Sequence, residues 1–408
     1  MERRRFLKSA VAGVSALSGL AGKTGSATSD MKITRVRVYN PTGTTGTSGW
    51  LNHSAIIVTV ETDSGLTGIG QGGTQDMIRD CAGAIIGQDP LRIEHLWQRM
   101  YRGTFYPPGR EKIHALGALD CALWDLKGKV YGAPLYQLLG GKARDHIECY
   151  QSLGTLELKE AREAARKVMD QGFRAVRFHG INPEGGIFNS RKAVDLTAGV
   201  CAQLKEGVGR DGDWILDAHT RFDMPDAVRL CKLVEPLNPF FVEDPLRAIN
   251  DSSAFSHLRN QVSVPLAAGE QFGDRWDGTQ LLVEQGLVDY IRGAIPNVGG
   301  VTEYRKIAAL CETHYIGLAP HFTAPIATAA VIHAVTAFPG TVINEVLTSA
   351  LPQYLREGFD FKNGKIYPND RPGIGVVLDP AKANLIDELT QPREVSGYSR
   401  PDGSFATL

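Results

Sequence analysis

Apolar and polar positions divide the chain into two textures. In the first, residues 32–39 and 54–62 are β-branched runs bounded by turn formers, which predicts two strands. A longer stretch, 113–130, repeats Leu116, Leu119, Leu123 and Leu126 at three- and four-residue intervals, the spacing of a helix with one buried stripe. These elements predict a small α+β unit over residues 31–142. From residue 143 the texture changes. Short β-branched or aromatic runs (147–151, 175–179, 214–218, 240–243, 265–268, 290–291, 316–319 and 342–344) alternate with amphipathic stretches such as 158–171 and 298–313. Strict βα alternation through residue 350 implies a parallel sheet, open or closed into a barrel. No GxGxxG opens a helix after the first of these strands, which argues against a doubly wound dinucleotide fold. Residues 351–408 lose the alternation, are rich in Pro, Gly and Asp, and are expected to pack back on the first unit.

Residues 1–30 belong to neither texture. Arg3-Arg4-Arg5-Phe6-Leu7-Lys8 precedes a mildly apolar stretch from Ala10 to Gly22, which reads as a twin-arginine signal and predicts a periplasmic protein. Translation from Met31 would instead leave it cytoplasmic. The apolar run is too short for stable membrane insertion. Hydrophobic residues at 43%, charged residues at 22% and a net charge of −1 are those of an ordinary soluble enzyme, with no basic block for nucleic acid. An anionic small substrate then needs a local positive centre. The six cysteines lie far apart without a CxxC, so buried free thiols are expected. Residues 41–53, rich in glycine and threonine and ending near Trp50 and His53, have the composition of a mobile lid.

Acidic residues recur where the strands end. Asp217 ends one predicted strand, Glu243 ends the next 26 residues on, and Glu270 follows the one after by 27, one βα unit each. In a parallel barrel this aligns three carboxylates at the C-terminal rim, where such folds carry their active sites. Packed together they would repel, and a divalent cation resolves this. All-oxygen ligation suits Mg²⁺. Strand residues two apart share a face, so His219 goes with Asp217, and Arg177 with His179. His321 and Glu345 lie at the ends of the last two strands. Of the three histidines, His179 is the one expected to be structural.

Asp217-x-His219, Glu243-Asp244-Pro245, Gly269-Glu270, Gly299-Gly300-x-Thr302-Glu303, Ala319-Pro320-His321 and Asn344-Glu345 together resemble the mandelate racemase/muconate lactonizing enzyme subgroup of the enolase superfamily. So does Ala118-Leu119-Asp120-x-Ala122-Leu123-Trp124-Asp125 in the first unit. The resemblance implies a modified (β/α)7β TIM-type barrel under an α+β capping domain. Within the subgroup, Asp217-x-His219, His321 and Glu345 look like galactonate dehydratases, whereas Gly269-Glu270-x-Phe272-x-x-x-Trp276-Asp277, Tyr290-Ile291-Arg292 and Arg177 look like mannonate dehydratases. Three positions depart from the pattern. The tyrosine that partners the arginine is missing from 180–189, which offers only Phe188. Ala294 stands where racemase-like members orient the histidine with an aspartate. Arg177-x-His179 replaces a Lys-x-Lys pair.

The resemblance implies a Mg²⁺-dependent acid-sugar dehydratase that removes the proton next to a carboxylate and expels the 3-hydroxyl, giving a 2-keto-3-deoxy acid. Such a proton is weakly acidic, because its loss adds negative charge to an anion; a cation and hydrogen-bond donors offset that, and histidine supplies a base near neutral pH. His321 is assigned as base and His219 as acid, with the two roles interchangeable given Ala294, and a protonated Glu345 is assigned to the substrate carboxylate. Arg177 is placed in the substrate site. The rival readings are a racemase or epimerase, and an exported binding protein without catalysis. A sugar acid is the expected partner, and a homo-oligomer the expected assembly. Segments 41–53, 101–111 and 180–189 are expected to choose the sugar.

Overall fold

Strands apolar on both faces need a neighbour on each edge and cover outside, and the run of units from residue 147 meets both needs by closing on itself. The computed structural model describes residues 31–41, 55–106, 108–181, 186–247, 253–347 and 350–407. The Arg3-Arg4 leader, nearly all of the 41–53 segment with Trp50 and His53, and residues 182–185 lie outside the described residues.

The first unit is an antiparallel sheet of β1 (Ile33–Pro41), β2 (Ile57–Thr62) and β3 (Thr67–Gln71), followed by α1 (Gln75–Ile85), α2 (Ile93–Arg102) and α3 (Arg110–Tyr131). The predicted stripe Leu116, Leu119, Leu123 and Leu126 is buried along α3. Sequence reasoning missed β3 because Gly68 and Gly70 break its pattern. Those glycines are there for packing: a Cβ on either would strike the α3 carbonyls of Ala122 and Ala118.

The barrel begins with β4 (Ile147–Ser152), α4 (Leu158–Asp170), β5 (Ala175–Phe178), α5 (Ser190–Val208), β6 (Asp213–Asp217) and α6 (Met224–Val234). It continues through β7 (Val242–Glu243), α7 (Ser253–Arg259), β8 (Leu266–Ala268), α8 (Gln280–Glu284) and β9 (Tyr290–Ile291). The last elements are α9 (Val301–Thr313), β10 (Gly317–Leu318), α10 (Pro325–Thr336) and β11 (Asn344–Val346). All neighbours pair in parallel. β11 lies beside β4, and a parallel bridge from Leu318 to Val342 joins the other edge, which closes a (β/α)7β barrel. Tyr150, Ala175, Ile215, Phe241, Ala267, Ala319 and Ile343 form an apolar cluster apart from the main core. Arg177, Asp217 and Glu243 each sit two residues beyond a member of that cluster, so the strand pleat puts the chemistry one layer above it.

Beyond the barrel, β12 (Leu355–Glu357) precedes the hairpin of β13 (Asp360–Lys362) and β14 (Lys365–Tyr367), which adds to the start of β4. After β15 (Val377–Leu378), paired with β12, β16 (Ala383–Leu389) returns to pair with β1. All six cysteines are free and buried, and among the described residues no helix is long and apolar enough to cross a membrane.

One clamp joins the capping helix to the barrel. Asp120 on α3 accepts the Thr302 backbone N–H at 2.9 Å and its hydroxyl at 2.6 Å, at the buried start of α9, where the first amides have no partner in the helix. Trp124 Nε1 donates to the same hydroxyl at 2.9 Å, and Trp97 Nε1 to Gly299 O at 2.8 Å. Gly300, at φ 88°, gives the carboxylate room, since a Cβ there would collide with Asp120. Burial pushes Asp120 up to about 7 against the pull of the Thr302 bonds. Asp120→Ala should lower the unfolding free energy in urea by about 1–3 kcal/mol, because Thr302 loses a buried partner. Asp120→Asn, which keeps an acceptor oxygen, should lose less.

Candidate active site

Every residue singled out by spacing arrives at one rim of the barrel. Asp217 and Glu243 face each other in register at the ends of β6 and β7, and Glu270 follows β8 by two residues. Arg177 lies on β5 with His179 just beyond its end, His219 two residues past β6, His321 after β10, and Glu345 on β11. His219, Thr220 and Asp244 hold φ of 51°, 60° and 41°, a region non-glycine residues rarely occupy. Strain gathered at strand ends is a mark of functional sites. Here it turns the His219 N–H onto Asp217 Oδ1 at 2.7 Å.

Two guanidiniums hold the cluster together. Arg177, 5% exposed, reaches Glu243 Oε1 at 2.8 Å, Asp217 Oδ2 at 3.4 Å and Glu345 Oε1 at 2.7 Å. Its Nε and Nη2 donate to Ser152 Oγ at 3.3 and 3.2 Å. Arg292, fully buried, reaches Glu243 Oε1 at 2.6 Å, Glu345 Oε2 at 3.0 Å and Glu270 Oε2 at 3.5 Å. Its other amino group donates to Tyr150 Oη at 2.5 Å and Ala319 O at 2.9 Å.

Five carboxylates, with Asp244 the fifth, thus share two guanidiniums, and negative charge is in excess. Burial, then the neighbouring acids, pushes Glu243 up to about 7 and Asp244 far above the carboxylate range. Glu243 Oε2 and Asp244 Oδ2 have no hydrogen-bond partner among the described residues. Oxygens of Glu243, Asp244 and Glu270 lie within 4.8 Å of one another. Unpartnered, mutually repelling, all-oxygen donors fit a hard divalent cation.

The histidines meet different members of the cluster. His179 Nδ1 lies 2.8 Å and His219 Nδ1 3.2 Å from Asp217 Oδ2. Hydrogen bonding to Asp217 raises His219 above the usual histidine value. Against burial, Arg177 and these imidazoles hold Asp217 well below its usual range. His321 Nε2 lies 3.4 Å from Glu270 Oε2, and burial pulls it down to about 4. Its Nδ1 has no partner among the described residues, and Ala294, where an aspartate was expected, is a buried apolar side chain.

Glu345, assigned as protonated, is pulled toward the charged form: against burial, Arg177 and Arg292 hold it down at about 2, and Phe322 N–H donates to it at 3.1 Å. Arg177, placed in the substrate site by its face of the strand, reaches three carboxylates of that rim. Arg292 directly follows β9 and Asp244 directly follows β7, so strand-end position points to both, whereas Tyr150, inside β4, carries no such signal. From the capping unit, Tyr101 meets Trp276 with ring centroids 5.6 Å apart, and Arg110 Nε bonds Asp277 at 2.8 Å, so the 101–111 segment does reach the rim.

Family models match in two parts: mandelate racemase / muconate lactonizing enzyme, N-terminal domain, over residues 30–140, and enolase C-terminal domain-like over residues 160–382. The D-galactonate dehydratase of Pectobacterium atrosepticum is 35% identical over 86% of this chain and 92% of its own. A D-galactonate dehydratase family member from Streptomyces bingchenggensis is 33% identical over 80% of this chain and 88% of its own. Among solved structures, an enolase-superfamily member from Salmonella Typhimurium superimposes with a TM-score of 0.80 at 28% identity, covering 88% of this chain and all of that one. An enolase from Pantoea ananatis with bound D-gluconate and Mg reaches 0.77 at 27%, covering 86% and 94%.

Removing one guanidinium from such a cluster leaves its partners buried and uncompensated. Arg292→Met should therefore lower the urea unfolding free energy by about 3–5 kcal/mol. Adding Glu345→Gln to that variant should restore part of the loss.

Proposed function

This chain belongs to the mandelate racemase / muconate lactonizing enzyme family, and on that footing we propose that it dehydrates a 2,3-dihydroxy sugar acid to a 2-keto-3-deoxy acid with the help of Mg²⁺. Likeness to galactonate dehydratases along most of its length makes it a hydro-lyase. The D-gluconate and Mg bound in the Pantoea ananatis relative support a sugar acid and that cation. The observation that carries the reading is the placing of two imidazoles on different carboxylates of one cluster, His219 on Asp217 and His321 on Glu270.

Asp217, Glu243 and Glu270 would hold a divalent cation, which when bound would supply the positive charge that a substrate carboxylate needs as its α-proton leaves. His321, kept neutral by burial, takes the proton from C2. His219, which its bond to Asp217 keeps more readily protonated, gives a proton to the 3-hydroxyl as it departs as water. The enol that remains becomes the 2-keto-3-deoxy acid. Two imidazoles driven apart in proton affinity are an acid and a base, whereas an epimerase needs two groups that exchange one job. Glu345, held ionised, positions Arg292 and the Phe322 amide instead of donating to the substrate.

In D₂O with an aldonate substrate, His321→Asn should lose both exchange at C2 and product. His219→Asn should lose product by about 10²–10⁴-fold while exchange persists. The converse pattern would exchange the two roles. A panel of aldonates and aldarates scored for 2-keto-3-deoxy products identifies the sugar.

Cation binding should register without substrate. Mg²⁺ at a hundred times its dissociation constant should stabilise the fold by about 2.7 kcal/mol, read as a chelator-reversible rise in melting temperature. Glu270→Gln should abolish most of that rise.

A further inference from the structure

His179 is the residue that neither the acid nor the base role employs, yet its Nδ1 lies closer to Asp217 than that of His219 does, at 2.8 against 3.2 Å. We propose that His179, Asp217 and His219 form a second metal site, selective for a borderline transition-metal ion such as Zn²⁺, whose occupation shuts the enzyme off.

Donor chemistry separates this site from the other. The hard-cation site, which shares Asp217 and otherwise draws on Glu243 and Glu270 beside Asp244, offers oxygen alone, which suits Mg²⁺ and Ca²⁺, whereas two imidazoles and one carboxylate suit zinc and its neighbours. Geometry permits the ion. Donor atoms of the three side chains fall within 4.8 Å of one another. Bonds of about 2.0–2.2 Å in a tetrahedral shell would set donors roughly 3.3–3.5 Å apart, so the His219–Asp217 pair needs to open by about 0.1–0.3 Å and the His179–Asp217 pair by about 0.5–0.7 Å. The imidazole rings, with centroids 4.1 Å apart and planes at 49°, are tilted rather than stacked. Their side chains are 25% and 44% exposed, which leaves an entry path and a position for water. Outer contacts already hold the ligands: the His219 N–H binds Asp217 Oδ1, Oδ2 faces both imidazoles with Arg177 behind it at 3.4 Å, and the His179 carbonyl accepts from Arg221 Nη1 at 2.7 Å.

Inhibition follows from what the ion takes. Imidazole ligates through the lone pair it uses to hold a proton, so binding expels that proton and His219 has none to give. Asp217 is drawn from the hard-cation site at the same time. The inhibitory part rests on the dehydratase reading; the binding part does not.

The test is titration of chelator-treated full-length protein with Co²⁺, whose visible absorption reports imidazole coordination, followed by displacement with Zn²⁺. Loss of an outer contact weakens a metal site by about 10–100-fold, so loss of a ligand in His179→Ala or His219→Ala should cost more than about 100-fold. Glu270→Gln should keep the absorption. His179→Gln repeats the measurement if the alanine variant does not fold, as judged by its melting curve. Absorption that survives loss of His179, or that disappears in Glu270→Gln, or that never appears, overturns the site. With binding established, Zn²⁺ should inhibit turnover at fixed Mg²⁺. An active enzyme unaffected by bound Zn²⁺ overturns the inhibitory role, whereas absence of dehydration in any condition removes the dehydratase reading and leaves the binding result standing.

Discussion

Charge balance at one rim is the constraint on which the rest of this structure turns. Asp217, Glu243, Asp244 and Glu345 are buried beside the half-buried Glu270, and Arg177 and Arg292 offset only part of their charge. Buried like charges must be paired, protonated or bound to a cation. Each solution is present: ion pairs hold Asp217 and Glu345 low, burial drives Glu243 and Asp244 up, and the unpartnered oxygens fit a divalent ion. The two histidines part for different reasons: Asp217 raises His219 through their hydrogen bond, whereas burial lowers His321.

The barrel makes that crowding possible. Its strands end on two-residue ladders such as Val242–Glu243 and Tyr290–Ile291, so backbone order gives way to functional side chains within one pleat. Beneath them the Tyr150–Ile343 layer is apolar and closes the floor. From above, the capping unit is tied by Asp120 to the start of α9 and by Arg110 to Asp277. These ties connect the barrel to the segment expected to select the sugar.

Much of this was legible in the residues, and the parts that were not have physical causes. Repeating βα texture revealed the parallel sheet, and acids one unit apart revealed the rim, because both depend on local spacing. β3 escaped because its glycines serve the close approach of α3, which no window of sequence contains. The charge of Glu345 escaped for the same reason, since it is decided by Arg177 and Arg292 from distant strands. Arg292 was readable from its place directly after a strand, but its partners, acids on other strands, were not.

The pairing of β16 with β1 has a consequence for how the protein is made. Arg37 on β1 bonds Glu388 on β16, across 351 residues of chain, and β11 closes the barrel against β4 late in the sequence. During synthesis the first strand keeps one bare hydrogen-bonding edge until residue 389 has left the ribosome. Neither domain can complete its sheet before the chain is nearly finished, so folding is governed by long-range closure and is slow. A nascent chain of this kind offers an open β-edge and an unclosed barrel to its neighbours until its last strands arrive.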